Sequence, residues 1–160
     1  KTLNKSNLKD LNNFAHLGNF SKKLKTFKSD YENLERFIDD FEKYLETQIE
    51  TPSLKLNTQD RIFEGIVNRL EILSDFKKIV IRIYLESQKN PKLLITLNKY
   101  IHQYFSGFLK SPISLGTSYL IYIYAFNIWI EDDDNMDKTM AAIGNSFESI
   151  NKIKSFIKIR

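Results

Sequence analysis

Trp129-Ile-Glu-Asp-Asp-Asp-Asn-Met-Asp-Lys-Thr-Met-Ala-Ala-Ile143 is the stretch whose reading decides the fold. It joins an aromatic segment to an acidic loop and then to a new helical pattern. The apolar run before it, Tyr119–Ile130, is 12 residues long and contains Asn127. A membrane-spanning helix needs about 20 residues, so this run reads as a buried helix. The run Glu131-Asp132-Asp133-Asp134 lacks the glycine and the closing glutamate of a calcium loop. Asp134 or Asn135 is the expected N-cap of the helix that follows, where negative charge suits the helix dipole.

Working outward, the chain reads as helix after helix. Tyr31, Leu34, Phe37, Ile38, Phe41, Leu45 and Ile49 recur at three- and four-residue spacing, with Ser29 as the expected cap. Thr51-Pro52-Ser53 ends that helix. Thr58 is the expected cap of the next, on Ile62, Phe63, Ile66, Val67, Leu70 and Leu73. Ser74 is expected to open another through Phe76, Ile79, Val80, Ile83 and Tyr84. Asn90-Pro91 starts a helix carrying Leu94, Leu97, Ile101, Tyr104, Phe105 and Phe108. After the break at Lys110-Ser111-Pro112, Leu115–Ile130 and Met136–Ile159 complete the pattern. No segment shows sustained strand alternation between hairpin turns. With two short helices before residue 28, the expected fold is all-α with about eight helices.

Composition narrows the function. The hydrophobic content of 42% is enough to bury a core in a chain of 160 residues. The absence of cysteine excludes a disulfide framework, a thiolate zinc site and a cysteine nucleophile. His16 and His102 stand far apart in sequence, without metal-ligand spacing, and read as surface or helix-end residues. No nucleophile–base pair can be assembled, so a non-enzyme without a cofactor is expected. No signal peptide opens the chain. It begins at Lys1 and not at Met, so a start upstream is expected.

Charge is concentrated at one end. Seven lysines against Asp10 and Asp30 give residues 1–30 a net +5, whereas the remaining residues sum to −1. Such a footprint suits nucleic acid, although lysine is abundant throughout the chain. Asn7–Ala15, the turn His16-Leu17-Gly18 and Asn19–Phe27 form a helix-turn-helix candidate. Asn19 and Lys22, Lys23, Lys25 and Lys28 are its candidate DNA-binding residues.

Aromatic residues mark a second candidate site. Tyr119, Tyr122, Phe126 and Trp129 share one helix face, as do Tyr100, Tyr104, Phe105 and Phe108 on the preceding helix. Two such faces suit an apolar ligand pocket with a few polar handles. A filled core or a dimer interface has the same pattern. At the C-terminus, Ile150, Ile153, Phe156 and Ile157 form an apolar stripe beside Lys152, Lys154, Lys158 and Arg160. This stripe suits an anionic membrane surface or the chain's own core, and packing on the core is the preferred reading.

Two junctions and one helix resemble a known family. Phe27-Lys28-Ser29-Asp30-Tyr31-Glu32-Asn33-Leu34 resembles the junction that ends the DNA-binding head of TetR-like regulators. Asp60-Arg61-Ile62-Phe63 through Leu73, and the tryptophan junction at Trp129, resemble the TetR-like accessory proteins of coenzyme Q biosynthesis. The likeness covers residues 58–150 well and 7–50 faintly. It implies a partial helix-turn-helix head at 1–30, lacking its first helix, on a helical ligand-binding and dimerisation domain at 31–160. It also implies a homodimer that holds a lipid or isoprenoid quinone without catalysis. The alternative it leaves is a ligand-responsive transcriptional regulator binding DNA through residues 8–27. The implied location is the bacterial cytoplasm, peripheral to the membrane, or the mitochondrion in a eukaryote. The head departs from the family at Leu24, where a backbone-contacting tyrosine is usual. The basic residues expected before the aromatic helix are replaced by Leu115-Gly116-Thr117-Ser118.

Overall fold

Six α-helices follow one another through residues 34–158, the part of the chain that the structure, a computed structural model, describes. They are α1 (Leu34–Gln48), α2 (Thr58–Ser74), α3 (Lys77–Ser87), α4 (Pro91–Ser106), α5 (Pro112–Trp129) and α6 (Asp137–Lys158). Among the described residues there is no strand, and Tyr122–Trp129 is helical. No helix among them is long and apolar enough to cross a membrane. The two short helices expected before residue 28, and the Ser29 cap, lie outside the described residues.

The helices fall into two compact units. The described part of the first, residues 34–49 and 75–100, holds α1, α3 and the start of α4. The buried face of α1 is Phe37, Ile38, Phe41 and Leu45, spaced as one side of a helix. Phe76, buried just before α3, receives the edges of Phe41 and Tyr44 at centroid distances of 5.3 and 5.8 Å. Ile79, Val80 and Ile83 continue this core along α3. On the first part of α4, Leu93 is buried and Leu94 is exposed, one position off the sequence expectation. Asn90 caps α4, its side-chain oxygen accepting the Lys92 N–H at 3.1 Å.

The described part of the second unit is residues 50–74 and 101–158. Here α5 packs on α6, and α2 packs on both. Burial on α2 falls on Ile62, Gly65, Ile66, Arg69, Leu70 and Leu73, while Phe63 and Val67 are half-buried. Its cap is Asn57 and not Thr58, because the Asn57 carboxamide reaches Asp60 twice. It accepts the Asp60 N–H at 2.9 Å and donates to the Asp60 carboxylate at 2.6 Å. Ser74 closes α2 where it was expected to open the next helix. Its hydroxyl donates back to the Leu70 carbonyl at 2.9 Å, a bond a helix-terminal serine makes readily.

Pro112 is the first residue of α5, three residues ahead of the expected start, since proline is preorganised for that position. The buried face of α5 runs through Ser118, Ile121, Tyr122, Ala125, Phe126 and Trp129. Its other faces are apolar too: Ile113 is 76% exposed and Leu120 70%. On α6, Thr139, Ala142, Ile143 and Phe147 are buried. From Asn151 onward every described side chain is exposed, including Ile153 and Ile157. At Ile153 and Ile157 the expected packing of this stripe on the core is therefore not what the structure shows, while Ile150 is half-buried. The helix outruns the surface on which its first half packs.

Candidate functional site

The second unit gathers most of the aromatic residues singled out by spacing. Phe108 lies in a turn two residues past the end of α4, where the chain reverses through Gly107. That turn brings its ring to 5.2 Å from Tyr104 and 5.8 Å from Phe105. Phe105 meets Tyr122 edge to face at 5.7 Å. Tyr122 leads to Phe126 at 6.1 Å, and Phe126 to Trp129 at 5.4 Å. Tyr104, Phe105, Phe108, Tyr122, Phe126 and Trp129 thus form one row of rings within favourable aromatic range. Tyr119 is half-buried one turn before Tyr122. Tyr100 belongs to the other unit, where its hydroxyl donates to the Asp39 carboxylate.

The polar groups of the row are satisfied from α2. The Tyr104 hydroxyl donates to the Gly65 carbonyl at 2.7 Å. Arg69, only 4% exposed, donates from Nε to the Tyr122 hydroxyl at 3.2 Å. Its guanidinium carbon lies 5.3 Å from the Tyr104 ring centre and 5.9 Å from that of Tyr122, within cation–π range of both. Burial pushes the Tyr104 phenol well above its ordinary value, against the opposing pull of Arg69, so the group stays a protonated donor. At the far end of the row, the Trp129 indole N–H donates to the Ser74 hydroxyl at 3.0 Å.

Two of these residues were missed by sequence reasoning, although both carry a signal. Arg69 stands three residues after Ile66 and seven after Ile62, on the buried face that the apolar positions define. Gly65 is held by close approach. A Cβ there would sit 2.5 Å from Cζ of Phe108 and 3.4 Å from Cγ of Pro52. Only a residue without a side chain admits the buried Phe108 ring at that distance.

The acidic junction is a structural lock. Asp132 is buried, and its Oδ2 accepts both the N–H and the hydroxyl of Thr139, each at 2.7 Å. Its Oδ1 accepts the Asp133 N–H at 2.9 Å. These bonds, led by that from the Thr139 hydroxyl, hold its carboxyl below the usual carboxylate range. Asp132, and not Asp134 or Asn135, therefore caps α6, because the loop folds its carboxylate over the third residue of the helix. Asp134 and Asn135 are exposed. Met136 takes the strained left-handed conformation, at φ 58°, that lets the loop reverse while its side chain is buried. Among the described residues no group of three acidic or histidine side chains is placed to hold a metal.

His102 is exposed on α4. The candidate DNA-binding residues Asn19, Lys22, Lys23, Lys25 and Lys28, and His16, lie outside the described residues. The chain matches no protein-family model, no curated protein and no solved structure.

Proposed function

We propose that the chain is a TetR-like, non-catalytic protein that holds an apolar, lipid-like ligand against the aromatic row of its second unit. The observation that carries this reading is the row itself, with a buried guanidinium set between two of its tyrosines. A wall of aromatic rings with few, fixed polar groups is the usual make-up of a site for a small apolar molecule. A ligand with a polar head, such as an isoprenoid quinone, would take over the bonds that the tyrosine hydroxyls and Arg69 make to one another and to α2. The likeness of residues 58–150 to the coenzyme Q accessory proteins supports the same ligand class. A homodimer goes with the proposal, and the uncharged outward face of α5, with Ile113, Leu120 and Tyr124 exposed, supports it.

Native mass spectrometry of the purified full chain tests the proposal. The expected species is a dimer carrying an extra mass of a few hundred daltons, identifiable by fragmentation. A chain that flies without added mass, both as expressed and after incubation with short-chain ubiquinone, overturns the ligand reading.

A further inference from the structure

We propose that the outward faces of α3 and α4 form a docking surface for an acidic, amphipathic segment of another protein. Residues 77–99 hold six basic residues, Lys77, Lys78, Arg82, Lys89, Lys92 and Lys99, against one acidic residue, Glu86. The rest of the chain, the lysine-rich residues 1–30 included, holds 18 basic and 19 acidic residues. On α3, Lys78, Ile81, Arg82 and Leu85 recur at three- and four-residue spacing, on one side of the helix. Lys78 is exposed, and Leu85 is 53% exposed. On α4, Lys92, Ile95 and Lys99 share a face in the same way, all of them exposed, Ile95 at 69%. Lys89 is exposed in the short turn between the two helices. That turn is tied by the Asn90 N–H, which donates to the carbonyls of Glu86 at 3.1 Å and Ser87 at 3.3 Å. The end of α3 and the start of α4 therefore stay side by side. Each helix sets an open aliphatic side chain among cations.

This mixture selects the occupant. A phosphate backbone would meet the cations and leave Leu85 and Ile95 in water. Carboxylates at the border disfavour any broad anionic surface, duplex or bilayer. Glu35 pairs with Lys92 at 3.2 Å, and Asp39 accepts the Tyr100 hydroxyl, so α1 lays acidic residues along α4. A wide anion would press on them with like charge. A single helix is only about 10–12 Å across and fits on the cations alone. Its carboxylates pair with the lysines while its apolar side reaches Leu85 and Ile95, which combines two common modes of peptide recognition. The Lys92 side chain is 78% exposed, so its pair with Glu35 is weak and Lys92 can change partner. All of these contacts lie near water, which makes the binding weak and sensitive to salt. This inference goes beyond the ligand reading and stands without it.

Fluorescence anisotropy with the full chain provides the test. The probe is a labelled, synthetic amphipathic peptide of glutamate and leucine; its counterpart with lysine for glutamate is the control. The wild type should bind the acidic peptide, lose it as salt is raised, and leave the basic one. Lys78→Glu with Lys89→Glu should weaken binding by about tenfold or more, as two attractions become repulsions. Leu85→Ser with Ile95→Ser should weaken it by about tenfold through lost apolar contact. Lys55→Glu with Lys110→Glu makes the same charge change on exposed positions of the second unit and should leave binding within about twofold of the wild type. Circular dichroism shows whether each variant keeps its helices. Failure of the wild type to bind overturns the proposal. Binding that survives both α3–α4 variants belongs to lysines elsewhere, and an equal loss in the second-unit variant makes it an effect of net charge; either result overturns the proposal. If a DNA duplex binds in place of the peptide and is lost in Lys78→Glu with Lys89→Glu, the face is a nucleic-acid surface, and the proposal fails.

Discussion

The last two helices end in opposite ways within one unit. α5 finishes on Trp129, fully buried and hydrogen-bonded to Ser74, whereas α6 finishes on a stripe of isoleucines open to solvent. Local apolar density does not account for the difference. α5 is apolar on every side, yet Ile113 and Leu120 are as open as Ile153 and Ile157. Burial instead follows the partners that the rest of the unit supplies. α2 offers Ser74 and Arg69 to one face of α5, and among the described residues the isoleucines at the end of α6 are left exposed. An apolar face with a polar partner waiting for it becomes core. One without such a partner stays at the surface.

The sharpest way to break this contrast is at Trp129. Trp129→Ala removes the largest fully buried side chain of the unit and should cost about 3–5 kcal/mol, read by chemical denaturation. A loss under 1 kcal/mol would mean that the end of α5 is no better packed than that of α6. Gly65→Ala comes next. The added methyl must displace the Phe108 ring, which is buried and has little room to move. The expected loss is about 1–3 kcal/mol, and truncating Phe108 in the same chain should remove the clash while opening a cavity. Neutral behaviour of Gly65→Ala would show that the α4–α5 turn gives way easily.

Helical periodicity carried the all-α class because six segments repeat apolar residues at helical spacing, and helices formed at each. The aromatic row was legible for the same reason: Tyr122, Phe126 and Trp129 lie on one face wherever the helix packs. What the pattern did not carry was the choice among neighbouring polar groups. Asn57 was passed over for Thr58, and Asp132 for Asp134, because a cap is chosen by where the loop places a side chain. The left-handed turn at Met136 has no local signature, since methionine does not favour it. Arg69 was not singled out, although its position on the apolar face already marked it as buried. The exposure of Ile153 and Ile157 was not legible at all: a stripe looks the same whether or not a neighbour reaches it.

The polar inset of the row is finer still. Tyr122→Phe keeps the ring and deletes the acceptor facing Nε of Arg69, and should cost about 1–2 kcal/mol. A stabilised variant would mean that the hydroxyl is a burden to the core, which would remove a polar handle from the ligand reading. At the junction, Asp132 links stability to pH. Its folded carboxyl lies below the unfolded value of about 3.9. It therefore stabilises the fold fully above that value, and the contribution is lost as pH falls through the lower, folded one. Thermal melts of the wild type and Asp132→Asn should show a gap that is constant near neutrality and narrows below about pH 4. A gap that does not change with pH would show that the carboxylate charge is immaterial to the cap.

The smallest effect belongs to the open end of α6, and its smallness is what gives it weight. Ile153→Asp with Ile157→Asp puts two charges where two isoleucines already face water, so no transfer from the core is reversed. Each change should shift stability by no more than about 0.5 kcal/mol. A melting temperature close to that of the wild type shows that the fold does not rely on this stripe. A large destabilisation would mean that the stripe does pack, on the chain itself or on a second copy. The two helix ends would then differ in degree and not in kind.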